Sequence, residues 1–149
     1  MLIVLEKLAQ PPTTSGYQTQ LSKAERYRHG KSKPEQGKAV IFPPEDTLLT
    51  DDQTPEGRTS WDRTYQITAY AGSAFCDTDP YDLQMNIIRA DVASVLLAEI
   101  ANGTNFGQTV QNCWEIGASV ILEPNEMPGI NLWFRFQYRT DQYDPYTLG

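Results

Sequence analysis

Histidine and cysteine are nearly missing from this chain of 149 residues: His29 stands alone, and Cys76 and Cys113 are the only thiols. A zinc site draws its ligands from closely spaced Cys, His and carboxylates, and no C-x-x-C or paired-His arrangement occurs. The two cysteines lie far apart in sequence and read as free, buried or half-buried thiols. A Ser-His-Asp or Cys-His mechanism would have to recruit His29 from a charged, irregular stretch. Phosphate-cradling loops are missing as well. Neither G-x-x-x-x-G-K-[ST] nor G-x-G-x-x-G is present, and Gly103-Thr104-Asn105-Phe106-Gly107 has no lysine and no following helix. The carboxylate pairs Asp51-Asp52, Asp77 with Asp79, and Asp141 with Asp144 fall in turn-like sequence, where solvent keeps both members ionised. Asp77-Thr78-Asp79-Pro80 does not continue into a calcium loop. No catalytic residue, metal or cofactor is therefore expected.

Long apolar runs are also absent. No segment approaches the roughly 20 apolar residues that span a bilayer. Leu2 to Leu5 is apolar, but no basic stretch precedes it and no small-residue cleavage site follows, so it is expected to belong to the fold of a cytoplasmic chain. The length suits one domain, residues 1–149, able to bury a core without disulfides or metal.

Charge is present but uneven. The net charge is −7, yet residues 22–38 carry Lys23, Arg26, Arg28, Lys31, Lys33 and Lys38 against Glu25 and Glu35, a local +4 that leaves −11 for the remainder. The basic segment reads as a solvated loop or short polar helix, and also as a contact for a polyanion or an acidic protein surface. No basic face interleaved with aromatics occurs elsewhere, which disfavours sequence-specific DNA reading.

The hydrophobic pattern divides the chain. Pro11 to Ser15 breaks structure, and Tyr17 to Lys38 has little periodicity. Lys38 to Phe42 predicts a short strand stopped by Pro43-Pro44. Glu45 to Thr59 predicts a mobile loop. Trp61, Tyr65, Ile67 and Ala69 then alternate with Asp62, Thr64, Gln66 and Thr68, as a half-buried strand requires, with Arg63 breaking the apolar face near its edge.

Asp79-Pro80-Tyr81-Asp82 predicts a helix start, with Asp79 capping and Pro80 in the first helical position. Leu83, Ile87, Ile88, Val92, Val95, Leu96 and Ile100 form its apolar side, Gln84, Arg89, Asp91 and Glu99 its solvated side, and Asn102-Gly103 its stop. Glu115 to Glu123 alternates, with Ile116, Ala118, Val120 and Leu122 on one side. After a turn at 124–129, Ile130 to Tyr138 alternates again, placing Ile130, Leu132, Phe134, Phe136 and Tyr138 inward. These two runs predict a β-hairpin. The fold class is α+β: an antiparallel or mixed sheet with one long amphipathic helix on one face, a long loop and an extended C-terminal tail. That tail, from Arg139 to Thr147, is rich in tyrosine and oriented polar groups, and predicts contact with a neighbouring subunit.

The order W-D-R-T-Y-Q-I-T-A-Y (61–70), amphipathic helix (80–101), and hairpin ending F-R-F-Q-Y-R-T-D-Q-Y-D-P-Y (134–146) resembles the tail terminator and neck-completion proteins of tailed bacteriophages. The resemblance covers residues 61–146, and the first 60 residues match it poorly. It implies a homo-oligomeric ring, typically a hexamer, that caps the tail tube and joins it to the head within the virion, after assembly in the host cytoplasm. DNA would pass through the lumen without sequence-specific binding, and an acidic lumen would discourage sticking. The implied partners are other copies of the chain, a tail tube protein and a head-connector or stopper protein. Trp61, Arg135, Arg139, Asp141, Tyr143 and Tyr146 are the candidate interface residues, and Lys23, Arg26, Arg28, Lys31 and Lys33 the candidate basic contact. A connector adaptor, a stopper or a tube-like tail protein fits the same pattern. A small nucleic-acid or ligand-binding module using residues 22–38 is the reading from another class.

Overall fold

The architecture follows from one long strand that finds partners on both sides. The structure, a computed structural model, describes residues 21, 23–48, 58–71, 80–108 and 110–141. Six strands form one mixed sheet: β1 (Lys23–Arg26), β2 (Lys38–Ile41), β3 (Glu45–Leu48), β4 (Arg58–Tyr70), β5 (Asn112–Val120) and β6 (Gly129–Asp141). Helix α1 (Tyr81–Ala101) and a four-residue turn α2 (Asn105–Gln108) separate β4 from β5. The strand order is β1-β2-β4-β6-β5, with β3 also paired to β4. Only β1 and β2 run parallel; the remaining pairs are antiparallel. The α+β class, with one long helix on a mixed sheet, is the one that the alternation of apolar residues predicts.

Expectations for residues 17–59 are corrected first. Glu45 to Thr59 was expected to be loop, yet its start is strand β3 and its end begins β4. The cause is the length of β4. Its second half pairs with β2 and its first half with β3, so β2 and β3 are one strand interrupted at Pro43-Pro44. Ile41 faces Ile67 and Glu45 faces Thr64, so the break slips the pairing by one residue. Proline cannot donate to the ladder, which places the break at those two positions. Likewise, Lys23–Arg26 lacks an apolar pattern but pairs in register with Lys38–Ile41.

Parity sets the core. Ile67 and Ala69 of β4, Leu132, Phe134 and Phe136 of β6, and Ala39 and Ile41 of β2 share the face beneath α1 and are buried. From α1, Met85, Ile88, Val92, Val95 and Leu96 complete it. The spacing of three and four along α1 is as the sequence predicts, but the buried stripe is rotated. Gln84 and Glu99, expected on the solvated side, are buried, whereas Leu83 is 49% exposed. Met85, the residue one position past Gln84, takes the deep place. Glu99 is accommodated because the Thr104 hydroxyl lies 2.7 Å from its carboxylate, and Asn102 and Gly103 (φ 72°) end the helix as expected. The helix begins at Tyr81, with Pro80 in the cap position and no side-chain cap bond there. Asp77 and Asp79 lie outside the described residues.

β5 starts at Asn112, three residues before the expected strand, and a bulge between Glu115 and Gly117 reverses its parity. Cys113 therefore joins the core beside Phe136, while Ala118 and Val120 continue on the same side after the bulge. Leu122, expected on the apolar side, lies past the strand and is 75% exposed. In α2, Asn105 and Phe106 take left-handed backbone angles (φ 47° and 52°), a cost offset where the Phe106 ring meets Phe136 edge-on at 5.3 Å.

Candidate interaction surfaces

The face of the sheet away from α1 is polar and half-buried. Its centre is a ladder across β4 and β6, in which the Thr68 hydroxyl lies 2.6 Å from Asn131 Oδ1 with Gln66 alongside. Towards Arg58 and Asp141 the same face carries Ser60, Asp62, Arg135 and Arg139. Here satisfaction fails. Ser60 Oγ, Asp62 Oδ1 and Arg139 Nε are buried without a hydrogen-bond partner among the described residues, and Arg135 Nε reaches Asp62 only at 3.7 Å. A buried polar group left unmade costs about 1–3 kcal/mol.

The opposite face holds a satisfied cluster at the same end. Arg63 Nε and Nη2 donate to Asp46 Oδ1 and Oδ2 at 2.6 and 2.8 Å, and the guanidinium lies over the Tyr138 ring, 4.7 Å from its centroid. The Arg63 hydrogen bonds hold the Asp46 carboxyl below the usual carboxylate range. The pair explains how an arginine sits within an apolar alternation: it ties β3 to β4. Beside it, Arg26, the stacked Tyr27 and Phe42 rings (4.9 Å) and Pro43-Pro44 border a shallow cleft of about 320 Å³.

The basic segment splits into paired and unpaired cations. Lys38 is buried, its ammonium 2.7 Å from Glu25 and 3.6 Å from Glu35, and its hydrogen bond holds Glu25 below the usual carboxylate range. Lys23 lies 3.6 Å from Glu25. These contacts, with the bond from the Lys38 ammonium to the Lys33 carbonyl at 3.1 Å, tie the 27–37 connection to β2. Arg26, Arg28, Lys31 and Lys33 are exposed and make no ion pair among the described residues.

The two ends of the sheet differ. β1 is the edge on the basic side. β5 is the edge on the other, and beside its outer margin lie Trp114 (40% exposed), Ile116 (46%) and Leu122, followed by Glu123 and Glu126 in the turn to β6. Among the described residues, Glu115 is the one of these carboxylates in an ion pair, with Arg89 of α1 at 2.6 Å. On α1 itself, Leu83 and Leu97 face outward.

The sequence-predicted interface residues are thus divided. Trp61 is half-buried on the α1 side of the sheet, opposite Tyr138, whereas Arg135 and Arg139 lie on the other face. Asp141 ends β6 opposite Arg58; its side chain, with Tyr143, Tyr146 and the rest of the tail, lies outside the described residues, as do Asp51, Asp52 and Asp144. Sequence reasoning missed Trp114, Ser60 and Asp62. An exposed tryptophan two residues before a bulge gives no periodic signal. Asn102-Gly103-Thr104 has acceptor-triplet spacing for glycosylation, but here Asn102 caps α1 and Thr104 binds Glu99. Cys113 is buried and its thiol is pushed up to about 12 by that burial. No cluster of three potential metal ligands occurs among the described residues.

Neither a family model nor a curated protein matches this chain.

Proposed function

We propose that this chain is a structural subunit that assembles with copies of itself into a ring, and that the ring is a tail terminator or neck component of a tailed bacteriophage. The observation that carries the assembly reading is the margin of β5. Trp114 and Ile116 stand exposed on a nine-residue edge strand, with Leu122 exposed just past its end. Monomers normally blunt or cover such an edge, because it invites pairing with another chain. The phage setting rests on the resemblance of residues 61–146, whose expected order of strand, helix and hairpin is the order β4, α1, β5-β6. In that setting the ring is a hexamer that caps the tail tube and meets a head-connector protein, DNA crosses its lumen, and no catalysis is involved. The chemistry of the described groups supports a non-enzymatic role. The carboxyls with shifted titration, Glu25 and Asp46, are shifted downward by ion pairing, opposite to a carboxyl tuned as a general acid.

One observation favours a second reading. Four exposed cations on and after β1, without ion pairs among the described residues, suit a polyanion, so a nucleic-acid-binding module remains in competition. Negative-stain imaging with a duplex-binding titration separates the two. Closed rings with a central opening support the ring. A chain that stays monomeric and binds duplex with a steep salt dependence, lost on neutralising Arg26, Arg28 and Lys31, refutes it.

A further inference from the structure

The two margins of the sheet are unlike, and their directions match. β4 and β5 run one way; β1, β2 and β6 run the other. If identical copies are set side by side in one orientation, β5 of one meets β1 of the next in antiparallel fashion, the better-paired arrangement. The chemistry agrees with that match. Tyr27 bonds inward to Ile41, and Lys23 to Gly37 at 3.3 Å, so by the alternation of a parallel pair Ala24 and Arg26 direct their backbone groups outward. Those groups have no strand partner among the described residues. Lys23 and Lys33 lie at the end of the sheet where β2 begins, Lys33 being placed there by the bond its carbonyl accepts from Lys38. In the antiparallel match this is the end where β5 finishes and the turn with Glu123 and Glu126 follows.

We propose that copies associate head to tail through these margins: β5 and the turn bearing Glu123 and Glu126 on one copy dock against β1 and the basic connection of the next. This rests on the ring reading and names the surface that builds it. A β1-to-β1 contact would set cation against cation. A two-fold β5-to-β5 contact would cover Trp114 and Ile116 but leave the acidic turn and the basic margin unmatched, and would stop at a dimer. The unlike contact covers the apolar residues, places long arginine and lysine stems against them, and pairs a +4 segment with part of the −11 remainder.

Charge reversal tests this in a way that distinguishes head-to-tail from two-fold contact. Glu123→Lys/Glu126→Lys makes both margins basic; Lys23→Glu/Lys33→Glu takes the +4 segment to zero and sets two carboxylates at the end that meets the acidic turn. Each variant alone is expected to self-associate at least about tenfold more weakly than wild type, as measured by light scattering on sized samples at low salt. An equimolar mixture restores unlike contacts and is expected to regain the wild-type mass, as is the chain carrying all four changes. Restored assembly also shows that the variants are folded, and circular dichroism checks each one alone. Wild-type assembly unaffected by either reversal, reversal without rescue by mixing, or a wild-type species no larger than a dimer overturns the proposal. If wild type still forms rings in those outcomes, the ring reading stands; a wild-type monomer removes both.

Discussion

Gly129 and Gly117 sit on the two strands of one hairpin, and the structure assigns opposite signs to the same substitution. At Gly129, which opens β6, an added Cβ would stand 2.7 Å from the carbonyl oxygen of Ala69, 3.1 Å from Tyr70 and 3.3 Å from Ile121. The first neighbour is backbone in a paired strand, so it cannot rotate away; β4 and β6 must separate by about half an ångström where they are held in register. Overpacking of that kind costs about 1–3 kcal/mol, or about 3–10 °C in melting temperature for a chain this size. At Gly117 the nearest atom to an added Cβ is Trp133 Cε3 at 3.7 Å, an ordinary contact, and the backbone is not left-handed. There Ala restricts the unfolded chain without native strain, and is expected to stabilise by about 0.4–1 kcal/mol. Urea unfolding of Gly129→Ala and Gly117→Ala beside wild type, with unchanged denaturant slope as the check on two-state behaviour, reads both. A Gly129→Ala midpoint equal to wild type, or a Gly117→Ala loss exceeding it, would refute the placement of β6 against β4.

Other consequences are smaller but as direct. Ser60→Ala should be neutral or stabilising by up to about 1 kcal/mol, since it removes a buried hydroxyl that has no partner among the described residues; a loss above that size in the same unfolding assay would mean the hydroxyl is bonded. Asp46 titrates below its ordinary value when folded, so the Asp46–Arg63 contribution is complete above the ordinary carboxylate pKa of about 4 and fades as pH falls through the depressed folded value. Because both side chains are 35% exposed, that contribution is under about 1 kcal/mol; Asp46→Asn should flatten the stability profile between about pH 5 and 2, and an unchanged slope would count against the pair. Cys113, with its thiol pushed up to about 12, should resist a disulfide reagent at pH 8 in a Cys76→Ser background until the protein is unfolded. Immediate reaction would place it outside the core.

The elements with strong periodicity were legible: β4 from Trp61 to Ala69, the α1 span, and the Ile130–Tyr138 strand all form where alternation or three-four spacing puts them. What was not legible has physical causes. β1 and β3 are polar four-residue strands that exist because β2 and the long β4 offer them unpaired backbone, a tertiary effect with no local pattern. The rotation of α1 was hidden because the helix is apolar on two sides: Met85 and Leu83 both fit a stripe, and only packing against β5 and β6 selects between them. The β5 bulge reversed parity in mid-strand, so the alternation from 116 to 122 does not extend back to Cys113, and Leu122 is exposed because it lies past the end of the strand. Of the candidate interface residues, Arg135 and Arg139 do share a face with Ser60 and Asp62, but Trp61 lies on the other side. The β5 margin, now the centre of the assembly reading, had no motif to announce it. Its meaning comes from being the last strand in the sheet.

The central claim is that this chain assembles into a closed ring, and the most direct test is the mass of the purified full chain in solution. Multi-angle light scattering across a concentration series should show a discrete species of several copies. For six copies of the 16.8 kDa chain that is about 101 kDa, with negative-stain images of the same peak showing a central opening. A single 16.8 kDa species at every concentration and salt tested, alone and with tail tube protein added, would contradict the account.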